Sequence, residues 1–418
     1  MKILWITNII LPEACEILNL PKPVEGGWLE GSAINLINQP DINLNIATVY
    51  NGTELKIING KNITYFLVPI SKRNFNSDLN DYWKRILNQI EPDIVHIHGT
   101  EFSHGLSCIS SNPNFKYVIS IQGLVSVYNR YYLAGISYCE IIKNITLRDI
   151  VRFDNLFQAK NKFKIRGLVE KEYLKLVKNV IGRTAWDYSH AISINSNLKY
   201  FKCNESLRKG FYESKKWNIN DCEKYTIFLS QASYPIKGLH QVLKAIYLLK
   251  IEFPKIKVKI AGQNIFEPQS FVDKIKLSGY AKYIKSLIKT LELTNHVEFL
   301  GRINEKQIIN EYLKSNIFIC PSSIENSPNS LGEAQILGVP CVASYVGGVP
   351  DMIEHNINGL LYRFQEIEML ATAIKNIFVD DELAANLSLN GIKSAELRHN
   401  TSMNIIQTID IYKTIINS

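Results

Sequence analysis

The apolar run Ile317-Phe318-Ile319-Cys320 is broken at once by Pro321, and this break constrains the fold more than any other feature of the chain. A short apolar run bounded by a turn signal reads as a parallel strand buried on both faces. A polar loop follows. Ser327 and Pro328 form an N-cap and first-turn pair, which predicts a helix start at that point. Leu331, Ala334, Leu337 and Gly338 recur at helical spacing and turn one helix face to the sheet.

The same thirty residues carry chemistry. Backbone N–H groups in a helix's first turn lack acceptors and bear partial positive charge, so Asn329, Ser330 and Leu331 form a candidate anion site. Glu325 precedes that site and Glu333 follows it. Neither carboxylate suits phosphate, but each accepts hydroxyl hydrogen bonds. An anion cradle between two hydroxyl acceptors suits a nucleotide-sugar, with diphosphate in the middle, ribose on one side and hexose on the other. Taken as an isolated pair, glutamates at this spacing read rather as a solvated loop residue and a surface helix residue.

The wider context resembles a known family. Glu325 and Glu333, with seven residues between them, are followed by Gly338-Val339-Pro340 and Gly347-Gly348-Val349-Pro350-Asp351. The block resembles the E-x7-E signature of retaining GT-B glycosyltransferases of family 4. The resemblance implies that Glu325 contacts the donor hexose and Glu333 the ribose hydroxyls. It also implies an α/β fold of the GT-B class, two Rossmann-like doubly wound parallel-sheet domains facing across a cleft.

Length and patterning agree with two domains, because 418 residues exceed what one core supports. Strands and helices alternate from the strand Lys2–Thr7 onward. The N-terminal domain is expected over 1–203, a polar connection over 204–224, a nucleotide-sugar-binding domain over 225–400, and a closing helix over 401–418. That helix resembles the family's last segment, which packs back on the first domain. Apolar content of 46% marks a globular chain, and no run is long enough to span a membrane. The N-terminus reads as a first strand rather than a signal peptide. Seven cysteines without a C-x-x-C pair point to a reducing cytoplasm and no zinc site.

Further candidates lie at predicted strand ends. Gly26-Gly27 precedes a helix predicted over Trp28–Asn38 and allows close backbone approach to a ligand. The family carries a Gly-Gly loop here, near donor phosphates and acceptor. His98 ends the strand containing Ile94-Val95-His96-Ile97 and is a site candidate, while His96 reads as a satisfied core histidine. Gln122 ends the strand from Tyr117, where many family members have His; Gln positions a sugar hydroxyl but does not titrate. Arg183, in the block Gly182-Arg183-Thr184-Ala185-Trp186-Asp187, resembles a feature of some bacterial members. Its planar fork fits a phosphate or carboxylate, or alternatively a structural pair with Asp187. Lys237 in Lys237-Gly238 matches the family's diphosphate lysine. The accompanying Gly-Arg is replaced by Gln231-Ala232, and Arg183 is a candidate to compensate. Gly262, in Gly262-Gln263-Asn264, and Arg302, in Gly301-Arg302-Ile303, close two more strands; the latter position lines the family's base pocket.

The net charge of +8 is concentrated, with eleven Lys/Arg against four Asp/Glu between 143 and 183. That segment reads as a solvated helical face or as a patch for anionic membrane lipid. No nucleic-acid motif accompanies it. The expected reaction is hexosyl transfer from a nucleoside diphosphate sugar to a glycan or lipid-linked glycan. It would serve surface polysaccharide biosynthesis, with no cofactor, no metal and no D-x-D motif. A cytoplasmic location is expected, peripheral at the inner membrane face if the basic patch is used. A non-catalytic nucleotide-sugar-binding protein and a GT-B epimerase remain as alternatives, because both the His and the Arg of the family pattern are replaced.

Overall fold

The structure is a computed structural model that describes residues 1–21, 26–70, 79–262 and 277–418. The chain divides into two compact units. The first comprises Met1–Ser126, Ile165–Arg208 and His399–Ser418; the second comprises Val127–Lys164 and Lys209–Arg398.

Eight strands build the sheet of the first unit: β1 (Lys2–Thr7), β2 (Asn43–Asn51), β3 (Lys56–Asn59), β4 (Ile63–Ile70), β5 (Ile94–His98), β6 (Tyr117–Ser120), β7 (Asn179–Gly182) and β8 (Lys199–Lys202). Their order is β3-β4-β2-β1-β5-β6-β7-β8. All pairs are parallel except β3 with β4. The central strands β1 and β5 are buried almost throughout, which explains their unbroken apolar reading in the sequence. The closing helix Thr401–Ile416 belongs to this unit. Its buried Tyr412 accepts from Trp5 Nε1 at 3.0 Å and meets His96 Nδ1 at 2.6 Å.

The second unit holds six parallel strands: β9 (Glu223–Leu229), β10 (Lys257–Ala261), β11 (Val297–Gly301), β12 (Ser315–Cys320), β13 (Cys341–Ser344) and β14 (Leu360–Tyr362). They are ordered β11-β10-β9-β12-β13-β14. The apolar run that opened the sequence reading lies in β12, where all six residues are buried.

Three boundaries differ from the sequence expectation. The helix predicted from Ser327-Pro328 spans Asn329–Leu337, with Pro328 in the cap position and no side-chain cap. Ser327 is instead drawn into the unit, donating to Met352 Sδ at 3.7 Å and accepting from Arg398 Nη2 at 3.1 Å. The polar stretch 204–224 is not a free connection. It carries the helix Lys209–Glu213 with a fully buried Phe211, and Trp217 donates through its backbone to Leu337 O and through Nε1 to Ser315 O. Residues 127–164, expected within the first domain, pack in the second unit: His240 Nε2 meets Ala134 O at 2.8 Å, and Thr146 Oγ1 donates to Leu277 O at 2.9 Å. Gln263-Asn264 lie outside the described residues.

Candidate functional site

In the second unit the loop after β12 is fixed by backbone. Ser323 N–H donates to Ile236 O at 2.7 Å, and Gly348 N–H donates to Glu325 O at 3.0 Å. Two glycines allow this approach. Gly238 has φ +68° and an added Cβ would overlap the Pro321 carbonyl oxygen; Gly347 has φ +52° and a Cβ would overlap the Glu325 carbonyl oxygen. The Gly-Gly-Val-Pro-Asp stretch is thus a clamp on the loop that carries Glu325.

The loop delivers Glu325 to Lys237. Lys237 Nζ donates to Glu325 Oε1 at 2.6 Å, and Ser322 Oγ donates to the same oxygen at 2.7 Å. Among the described residues no group bonds Oε2. Burial works against the Lys237 charge, but Glu325 together with Tyr234 and Cys320 outweighs it, so the ammonium is held well above the usual lysine range and stays charged. The lysine side chain is 19% exposed and its Nζ lies 5.8 Å over the Tyr234 ring, with one of its three donors committed to Glu325.

The helix Asn329–Leu337 follows, with Glu333 buried on it at 7% exposure. Leu331 N–H donates to Pro328 O at 3.0 Å, which removes it from the predicted anion cradle. Asn329 and Ser330 remain in the first turn, where backbone N–H groups have no intrahelical acceptor. Gly262 and Gly301 both adopt positive φ and are joined by Gly262 N–H to Gly301 O at 2.9 Å; Arg302 is exposed beside them.

The remaining candidates lie in the first unit. Gly26 sits at the cap of the helix Gly27–Ile37 with φ +81°, and a Cβ on Gly27 would come within 2.8 Å of Arg208 Cδ. Arg183 is buried and its guanidinium is already engaged: Nη1 bonds Glu205 Oε2 at 2.6 Å, while Nη2 donates to the carbonyls of Ile121 and Gln122. The compensating phosphate role expected for Arg183 therefore meets a fork filled by protein groups. Asp187 accepts from the Arg183 backbone and completes a capping box with Thr184. Gln122 Nε2 donates to Glu205 Oε1 at 2.7 Å, so Gln122 and Arg183 share one carboxylate. Glu205 was not legible beforehand, since Arg183 and Gln122 are distant from it in the chain, whereas the Ser322-x-x-Glu325 spacing is local and was simply not used.

His96 is satisfied at both ring nitrogens, by Tyr412 and by Ser120 at 2.6 Å. His98 is buried, and neither of its nitrogens has a hydrogen-bond partner among the described residues. Burial holds both rings neutral, His96 at about 3 and His98 well below the usual range. His98 lines a cavity of about 50 Å³ with Trp28, Arg183, Glu205, Ser206 and Asn404. Among the described residues, no three His, Cys, Asp or Glu side chains gather where they could hold a metal ion.

The fold defines the class. Sucrose-phosphate synthase from Thermosynechococcus elongatus superposes with a TM-score of 0.71 over 100% of this chain and 99% of its own, at 16% identity. HepE from Anabaena, solved with UDP-glucose, gives 0.64 over the full length of both chains, also at 16% identity. The chain has the GT-B fold of these glycosyltransferase structures. Its second unit carries the family likeness: residues 212–394 match the model described as Glycosyl transferases group 1. Over greater length, the chain is similar to the uncharacterized glycosyltransferase MJ1607 of Methanocaldococcus jannaschii, 22% identical over 388 residues and 88% of each chain.

Proposed function

We propose that this protein transfers a hexosyl group from a nucleoside diphosphate sugar to a glycan or lipid-linked glycan, with retention at the anomeric carbon, in surface polysaccharide biosynthesis. The observation that carries the reading is the Lys237–Glu325 pair, in which Ser322 and Lys237 pin Oε1 and no described group bonds Oε2. Oε2 accepts a hexose hydroxyl, and the remaining Lys237 donors meet the diphosphate. The first-turn N–H groups of Asn329 and Ser330 add to that anion site, and Glu333 accepts from the ribose. When the bond from the anomeric carbon to the phosphate oxygen breaks, these groups stabilise the charge left on the diphosphate. The acceptor oxygen bonds the anomeric carbon on the same face, and its proton passes to the leaving phosphate. In the first unit, the nitrogens of His98, which no described residue bonds, suit an acceptor hydroxyl. The HepE structure with UDP-glucose supports a nucleotide-sugar donor.

A thermal-shift screen against nucleoside diphosphate sugars tests the donor site, because a ligand that prefers the folded state raises the melting temperature. One donor should stabilise the wild-type protein, and Glu333→Ala and Lys237→Met should each weaken that donor about 10–100-fold. An unchanged shift in both variants, or no shift with any donor, overturns the assignment. Proton NMR of the first product should show the donor's anomeric configuration; an inverted product overturns retention alone.

A further inference from the structure

Two short helices in the second unit, Tyr138–Lys143 and Leu147–Arg152, present bulky apolar side chains to solvent. Leu147, Val151 and Phe153 are 77%, 79% and 71% exposed, and Tyr138, Ile142 and Ile150 are exposed with them. Leu147, Ile150 and Val151 are spaced three and four apart and so share one helix face, as do Tyr138 and Ile142. Phe153 caps the second helix with φ +50°, a strained conformation for a bulky residue, and still leaves its ring in water. A cluster of this density is unusual on a free surface.

The opposite side of these helices is anchored. Capping boxes on Ser137 and Thr146 fix both starts. Thr146 Oγ1 donates to Leu277 O at 2.9 Å, Lys282 Nζ to Lys143 O at 3.2 Å, and Asp149 packs so closely on Gly279 that a Cβ there would lie 2.7 Å from its carboxylate. The apolar face is therefore held outward by a specific inner face.

The charges sort the same way. Asp149 is buried and bonded by Arg148, Asp154 accepts from Arg148 Nη2 at 2.8 Å, and Glu140 is used in a capping box. Lys143 and Arg152 are exposed. The surface thus offers apolar tips and cations while its carboxylates are engaged within the fold.

We infer that residues 138–153 form a membrane-docking surface that inserts its apolar side chains into an anionic lipid bilayer. Apolar tips flanked by cations suit the headgroup boundary, where acyl chains take the former and lipid phosphates the latter. A second copy of the chain fits less well, because a two-fold contact on this patch would set its cations against their own equivalents. The inference does not depend on the donor site, and it narrows the expected membrane contact. The expected contact covered residues 143–183 as a whole; the exposed apolar cluster marks its first part, ahead of the long helix Leu156–Leu176.

The test is co-sedimentation of the full chain with phosphatidylcholine vesicles, with and without phosphatidylglycerol. Binding should require the anionic lipid and weaken with added salt. The triple change Leu147→Ser, Val151→Ser and Phe153→Ser should reduce binding about tenfold or more while the melting temperature holds, since these residues are already in water. Lys143→Glu with Arg152→Glu should reduce it as well. In a separate variant, Phe153→Trp should shift its emission to the blue on adding anionic vesicles. Failure to bind, undiminished binding by the triple variant, an unshifted tryptophan, or a dimer that the triple variant dissociates would each overturn the inference.

Discussion

Glu325 divides its carboxylate: Oε1 bonds with Lys237 and Ser322, and Oε2 bonds with no described group. That division depends on where the Glu325 backbone is held, and Gly347 sets it. Gly347→Ala must adopt φ +52° with its Cβ against the Glu325 carbonyl oxygen. The left-handed conformation alone costs about 1–2 kcal/mol, and the overlap adds to it. We expect Gly347→Ala to lower stability by at least that amount in urea melts and to weaken the preferred donor about tenfold or more. Wild-type affinity and stability would show that the clamp is dispensable. At this scale the sequence was informative about Glu325, Glu333, Lys237 and the glycine motif, because they lie within short recognisable stretches. It was silent about Glu205, whose two partners stand 22 and 83 residues away.

The stretch after Asn204 shows how an element escapes a reading of local pattern. Its polar residues hide Phe211 and Trp217, which are buried at 0% and 7% exposure. Trp217 is tied to two separate elements, the strand β12 through Ser315 O and the end of the helix Asn329–Leu337 through Leu337 O. Trp217→Ala should cost about 3–5 kcal/mol in the unfolding of the second unit, from lost burial and cavity formation. Trp217→Phe, which keeps most of the packing and loses the Nε1 bond, should cost about 1 kcal/mol more than a neutral change. Denaturant titrations of the two variants check this, and equal small losses would mean that the segment is a mere connection. The helix from Asn329 makes a similar point. Ser327-Pro328 is a good start signal by local preference, yet Met352 and Arg398 draw Ser327 away and delay the helix.

Across the whole molecule, buried histidines load the two units unequally. His96, His98 and His104 lie in the first unit and His240 in the second, and burial depresses all four, to about 3 for His96 and about 4 for His104 and His240. Each binds a proton in the unfolded chain below about pH 6.5 that it does not bind when folded, so its stability contribution is lost as pH falls toward the folded values. Glu101 and Glu170 oppose this in the first unit, since burial raises both, Glu170 to about 7. Three histidines outweigh two carboxyls as pH falls and the unfolded histidines fill with protons. The first unit should therefore lose stability, on the order of 1 kcal/mol per pH unit, toward pH 5. Urea midpoints read by the emission of its tryptophans test this; His104→Gln should flatten the slope, and a midpoint independent of pH would refute it. The sequence by itself determined the α/β alternation, the buried parallel strands, the two-unit size and the stretch carrying Glu325 and Glu333. Those features are written in local periodicity and in turn residues whose backbone needs are fixed by their own chemistry. Only the tertiary structure decided that residues 127–164 join the second unit, that Arg183 is held by Glu205 and that an apolar face stands outside. Each of these turns on a partner distant in the chain or on which face of a helix is covered, and neither is set by the residues next along the backbone.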